Sequence, residues 1–106
     1  MRDKIIELMI NNLKIDKEIA ETYLKLLLDG KASIDKLGID KSILDRLVED
    51  GACIEIDGMY QALNPKFAIT NMYRMRCIRE GIEMKRNKEV DKIATILEGL
   101  LERRAK

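Results

Sequence analysis

With 106 residues, 46% of them hydrophobic and 37% charged, the chain has the length of one domain and the composition of a folded one, which excludes disorder and fibrous repeats. Aromatics are scarce (one Phe, three Tyr, no Trp), so Ile, Leu, Met and Ala must build the core, a set that suits packed helices better than a β-sandwich. Net charge is only +1 and announces no nucleic-acid partner for the chain as a whole, yet residues 1–65 hold 9 Lys/Arg against 13 Asp/Glu while residues 66–106 hold 11 against 6.

In chain order, Ile5, Ile6, Leu8, Met9, Ile10 and Leu13 recur at helical spacing and predict a short amphipathic helix from Arg2 to about Asn12. Asp16 offers an N-cap to a second helix carrying Ile19, Ala20, Tyr23, Leu24, Leu26, Leu27 and Leu28, closed by Gly30; apolar on two faces, it is the expected central helix. Ser33 caps a short turn ending at Gly38. Asp40 then opens a helix with Ile43, Leu44, Leu47 and Val48 that Gly51 closes, a helix-turn-helix pattern. Asp57-Gly58 between Ala52–Ile56 and Met59–Leu63 is a hairpin signal, because a type I′ turn needs positive φ at both central residues. Asn64-Pro65 reads as N-cap and first residue of another helix.

From Pro65 to about Arg104 no further proline appears, and one helix of that length would span about 60 Å. Met72, Met75, Arg79, Ile82, Arg86, Val90, Ile93, Leu97, Leu100 and Arg104 follow one another at spacings of three and four, a heptad seam with one four-residue insertion between Ile82 and Val90. The seam predicts a projecting helix that pairs with a second copy through Met72, Met75, Ile82, Val90, Ile93, Leu97 and Leu100, with Glu80 and Glu83 of that copy as partners for Arg79 and Arg86; the alternative is a break near Asn87 that packs the segment back on its own domain. Arg74, Lys85, Lys88 and Lys92 form a separate basic stripe within roughly 60° of one another.

The expected fold is therefore mainly α with a small β-hairpin wing: a winged helix-turn-helix over residues 1–64 and a coiled-coil dimerisation helix over 65–106. Two cysteines, Cys53 and Cys77, without histidine or close cysteine spacing, make no zinc site and fit a reducing compartment. No apolar run can span a membrane and the N-terminus is a poor signal peptide, so a cytoplasmic protein is expected. No nucleophile elbow, P-loop or dinucleotide fingerprint is present, and neither a catalytic site nor a cofactor is expected.

The residues also resemble a family. Leu13-Lys14-Ile15, Glu18 and Glu21, and the run from Tyr23-Leu24 through Leu28 to Gly30 follow the pattern of the first core helix of the archaeal TrmB-type winged-helix regulators. Leu44, Leu47 and Gly51, followed by Ala52-Cys53-Ile54-Glu55-Ile56, follow the end of that family's third helix and its strand, and Tyr60 through Asn64-Pro65 follow the close of its wing. The resemblance covers about residues 13–68. The segment between Gly30 and Gly51 is several residues shorter than the family pattern, Asp40-Lys41-Ser42 stands near the family's Pro-Arg-Ser, and nothing corresponds to an effector domain, so sugar sensing is not implied.

The resemblance implies a DNA-binding, regulatory role, and the residues name the contacts. Lys36, Lys41, Ser42 and Arg46 would face double-stranded DNA, with Arg74 and Arg76 supporting from the long helix of a homodimer serving transcription regulation or chromatin. Asp45, Glu49, Asp50 and the acidic wing tip Asp57 oppose phosphate. The alternative is an interaction module whose winged helix docks on a protein partner while the long helix sets assembly.

Overall fold

A computed structural model describes residues 2–105, with side chains through Arg103. The chain is mainly helical with a small three-stranded antiparallel sheet, and its elements run α1 (Arg2–Leu13), α2 (Lys17–Asp29), β1 (Ala32–Ser33), α3 (Ile34–Leu37), α4 (Lys41–Glu49), β2 (Cys53–Ile56), β3 (Met59–Ala62), α5 (Pro65–Glu80) and α6 (Lys88–Ala105).

The central position of α2 follows from its composition. Ile19, Ala20, Tyr23, Leu24, Leu26 and Leu27 are all buried, and α2 packs against α1, α4, α6 and β3. Its Tyr23 hydroxyl crosses the core to donate to the Leu63 carbonyl at 2.8 Å, which satisfies a phenol that burial would otherwise strand. The sheet order is β1-β3-β2. Ala32 faces Tyr60 across β1 and β3, and Ile56 faces Met59 across the hairpin. Asp57 and Gly58 both take positive φ, 52° and 81°, as the Asp-Gly signal requires. Alternation sends Ala32, Cys53 and Tyr60 inward and leaves Ile54 and Ile56 on the outer face.

The chain departs from the expected single helix after Glu80. Gly81 adopts a left-handed conformation with φ 64°, and the Ile82 amide donates back to the Cys77 carbonyl at 3.0 Å, a hydrogen-bonded helix stop. Asn87 then caps α6, its Oδ1 accepting from the Glu89 and Val90 amides at 2.9 and 3.2 Å. Residues 81–87 thus turn the chain, and α6 returns to pack on α1 and α5.

The projecting coiled coil is corrected accordingly. Met72, Val90, Ile93 and Leu97 lie buried in one apolar cluster with Ile5, Met9 and Leu24 of the same chain; Met75 and Leu100 are half-buried, and Ile82 is exposed in the link. The arginines of the seam are also satisfied at home: Arg79 pairs with Asp50, Arg86 with Asp91, and Glu80 with Arg76. The side chain of Arg104, the last seam position, lies outside the described residues. The physical reason is coverage. Each of Val90, Ile93 and Leu97 gains about 1.5–3 kcal/mol on full burial, and α1 and α5 already offer an apolar surface within reach of a short link.

Because these side chains serve the fold of one chain, Leu97→Ala is expected to lower the stability of the whole domain by about 2–5 kcal/mol in urea unfolding, even in dilute solution. A seam used only between copies would leave the dilute protein unchanged. Gly99 sits inside α6 with nothing within 4 Å of an added Cβ, so Gly99→Ala is expected to raise stability by about 0.5–1 kcal/mol.

Candidate functional site

The segment between β1 and the hairpin carries exposed polar side chains on elements that the core holds in place. The Ser33 hydroxyl accepts from the Lys36 amide at 3.3 Å and starts α3, and Gly38 ends it in a left-handed conformation. Asp40 leads into α4 without a side-chain cap hydrogen bond. Leu44 and Leu47 anchor one side of α4 in the core, against α2, which turns Lys41, Ser42, Asp45, Val48 and Glu49 toward solvent.

Between this outer side of α4, the start of α3 and the hairpin runs a groove of about 530 Å³. Ile34, Val48 and Tyr60 supply its apolar lining, and Lys41, Asp45, Glu49 and Glu55 its charge. Lys41 Nζ meets both Asp45 carboxylate oxygens at 3.1 Å. That hydrogen bond, then the Asp45 charge, and more weakly Glu55 from the hairpin, raise the Lys41 pKa above its ordinary value. Glu55 Oε2 accepts from the Gly58 amide at 2.7 Å and so holds the hairpin turn closed. The groove is thus net acidic, with one cation at the end nearest the start of α4.

At the other end of α4 lies a buried junction. The Asp50 side chain is only 1% exposed; it accepts from Arg46 Nε at 3.0 Å and also pairs with Arg79 of α5. Next to it, Asn71 Nδ2 donates to the Gly51 carbonyl at 2.8 Å, and Arg74 donates to Asn71 Oδ1 at 2.9 Å. Gly51 has φ +75°, and a Cβ there would come within 2.9 Å of the Asn71 side chain, so only glycine fits. Farther along α5, Arg76 donates to the Asn12 carbonyl at 2.7 Å and to Glu80 at 2.9 Å while lying over the Tyr73 ring, tying α5 to the end of α1.

The six DNA-facing residues expected from the sequence differ in their surroundings. Lys36, Lys41 and Ser42 are exposed on α3 and the first turn of α4. Arg46 is half-buried against Asp50, Arg74 is engaged with Asn71, and Arg76 is fastened to α1. Sequence reading passed over Asp50, Arg79 and Asn71 as a unit. The Arg46–Asp50 spacing of four on one helix was a usable signal, but the contact with Arg79 needed the tertiary path. It also left unremarked the exposed Ile54 and Ile56 of β2 and Ile78 of α5.

Other features carry no chemistry of their own. Among the described residues no cluster of His, Cys, Asp or Glu could hold a metal, and no helix is long and apolar enough to cross a membrane. Both cysteines are buried and unpaired. A second cleft, of about 370 Å³, lies between α1 and α6, with Ile5, Leu8 and Ile96 inside and Lys4, Lys92 and Arg103 at its edge. No family model, curated protein or solved structure matches this chain.

Burial pushes the Cys53 thiol up from 9.0 to about 12. The Tyr23 phenol is also driven upward, by burial first and by the neighbouring Cys53 second. Both groups keep their proton in the folded chain where the unfolded chain has lost it. Unfolding therefore releases protons, and stability falls as pH rises from 9.0 toward about 12. Urea midpoints measured across that range are expected to drop, and Cys53→Val to flatten the drop; a midpoint independent of alkaline pH would contradict the burial of both groups.

Proposed function

We propose that this chain is a winged-helix protein that binds duplex DNA, with α4 as its reading helix, in the manner of a small transcriptional regulator or chromatin-associated factor. The observation that carries this reading is the element order: helix, short strand, short helix, helix and hairpin, with sheet order β1-β3-β2 and the outer side of α4 open to solvent. In proteins of this architecture the last helix of the three enters the major groove and the hairpin lies beside the backbone. The resemblance of residues 13–68 to the TrmB-type regulators points the same way.

The chemistry favours the first turn of α4 as the point of contact. Helix N-termini attract anions through their free amide groups and the helix dipole, and Lys41 and Ser42 stand there, with Lys36 on the preceding α3. The Lys41–Asp45 pair is 69% and 56% exposed, so water screens it and a phosphate can take the place of the carboxylate at little cost. Arg46, Arg74 and Arg76 are left out of this interface, since each already holds a partner within the fold.

A second reading, docking on a protein, is favoured by Asp45, Glu49 and Glu55 around the apolar groove, because this part of the surface repels phosphate and suits a cationic partner. The two readings separate on charge. If α4 reads DNA, a mobility-shift titration at low salt shows binding that weakens with salt at a log–log slope of about −2 to −3, set by roughly three phosphate contacts. Lys41→Glu abolishes it, and Asp45→Asn, which frees Lys41, tightens it severalfold. Absence of binding at low salt, or indifference to both substitutions, overturns the DNA reading.

A further inference from the structure

Two surface features are complementary. One is the net-acidic groove, with Val48 at its apolar wall and Asp45, Glu49 and Glu55 around it. The other is the α5–α6 link. Ile78 at the end of α5 and Ile82 and Met84 in the link are 64%, 47% and 39% exposed; Glu80 and Glu83 are exposed between them, and Lys85, Arg86 and Lys88 follow, also exposed. Isolated surface apolar side chains need no explanation, but three within a short segment followed by Lys85, Arg86 and Lys88 are the composition of a docking element.

We propose that the occupant of the groove is the α5–α6 link of a second copy of this chain, which places Ile82 and Met84 on the apolar wall and Lys85 and Arg86 against Glu49 and Asp45. The charge split of the sequence, acidic before residue 66 and basic after it, becomes the recognition code between copies. The Arg86–Asp91 pair, 3.2 Å apart and exposed on both sides, offers little resistance to the exchange.

The geometry is also compatible with a closed pair. Asp50, next to Glu49 at the end of α4, is bonded to Arg79, next to Ile78 at the end of α5. Groove and link therefore begin at the same end of the molecule. Two copies related by a two-fold axis near that end can each give a link and receive one, which satisfies both surfaces at once. This pairing leaves α6 packed on its own chain, unlike a coiled coil. It does not rest on the DNA reading, although Lys41 of the first turn of α4 also lines the groove.

The test is the mass of the full chain by light scattering at low ionic strength over a range of concentrations. Two charge-reversed variants accompany it: Lys85→Glu with Arg86→Glu in the link, and Asp45→Lys with Glu49→Lys in the groove. The unaltered chain is expected to show the mass of two copies, falling to one as salt screens the contact. Each variant alone stays at one copy, with circular dichroism confirming its helix content. Mixed in equal amounts, the two variants restore the two-copy mass, because each link then meets a groove of opposite charge. A one-copy mass for the unaltered chain at every concentration overturns the proposal. So does a reversed variant that pairs as well as the parent, or a mixture that does not pair. Lys36→Glu separates this proposal from the DNA reading, since it weakens duplex binding and leaves the mass unchanged.

Discussion

The apolar stripe of α6 can be covered only once, and everything else in the molecule follows from its being covered by the chain that bears it. Val90, Ile93 and Leu97 are buried in the same cluster as Ile5 and Met9 of α1 and Met72 of α5. A domain of this size gains its stability from a core that is small to begin with, so a helix lying across α1 and α5 is a large share of that core. Had α6 extended away, α1 would have kept only α2 and α5 as cover. The return of α6 packs it against α1 and puts both helices in one core.

Asp50 does for the candidate site what α6 does for the core. It is a buried carboxylate, and a buried charge is stable only with close partners. Arg46 reaches it from within α4 and Arg79 from α5. The end of the candidate reading helix is thereby fixed to the helical layer behind it, and Asn71 repeats the connection through the Gly51 carbonyl. Half of the arginines that look like surface cations in the sequence are spent on such connections. The cationic surface available to a ligand near α4 shrinks to Lys36, Lys41 and the amides of one helix turn.

Local chemistry was legible wherever a single residue type has a single use. Asp57-Gly58 specified the hairpin, Ser33 and Asn64 the starts of α3 and α5, and Tyr23 through Leu27 the buried faces of α2. The seam after Pro65 misled because apolar spacing reports which side chains are buried and says nothing about whether the chain between them is straight. Two helices that pack on one core from opposite directions each keep their own stripe, and residues 81–87 happened to preserve the spacing between the stripes. The break was nevertheless written in Gly81, a left-handed helix stop, and Asn87, an N-cap. The charged junction was less legible. Arg46 and Asp50 are one helical turn apart, but Arg79 is brought in by the fold of the two intervening strands and the length of α5, and no local rule reports that.

Along α4 itself the charges are sorted by position, and the sorting runs against the dipole of the helix, which leaves each end open to a partner of opposite charge. Lys41 and Ser42 stand at the N-terminal end, where an anion is favoured; Glu49 and Asp50 stand at the C-terminal end, where the helix favours a cation. Asp50 already has its cations in Arg46 and Arg79, whereas Glu49 lies on the exposed rim of the groove. A single short helix therefore offers two surfaces of opposite preference, one for phosphate and one for basic side chains. A duplex seated on the first turn would lie across the mouth of the same groove that a basic segment would enter. Occupation of one end is then expected to oppose occupation of the other, through shared space and through the long-range repulsion that the acidic rim exerts on phosphate.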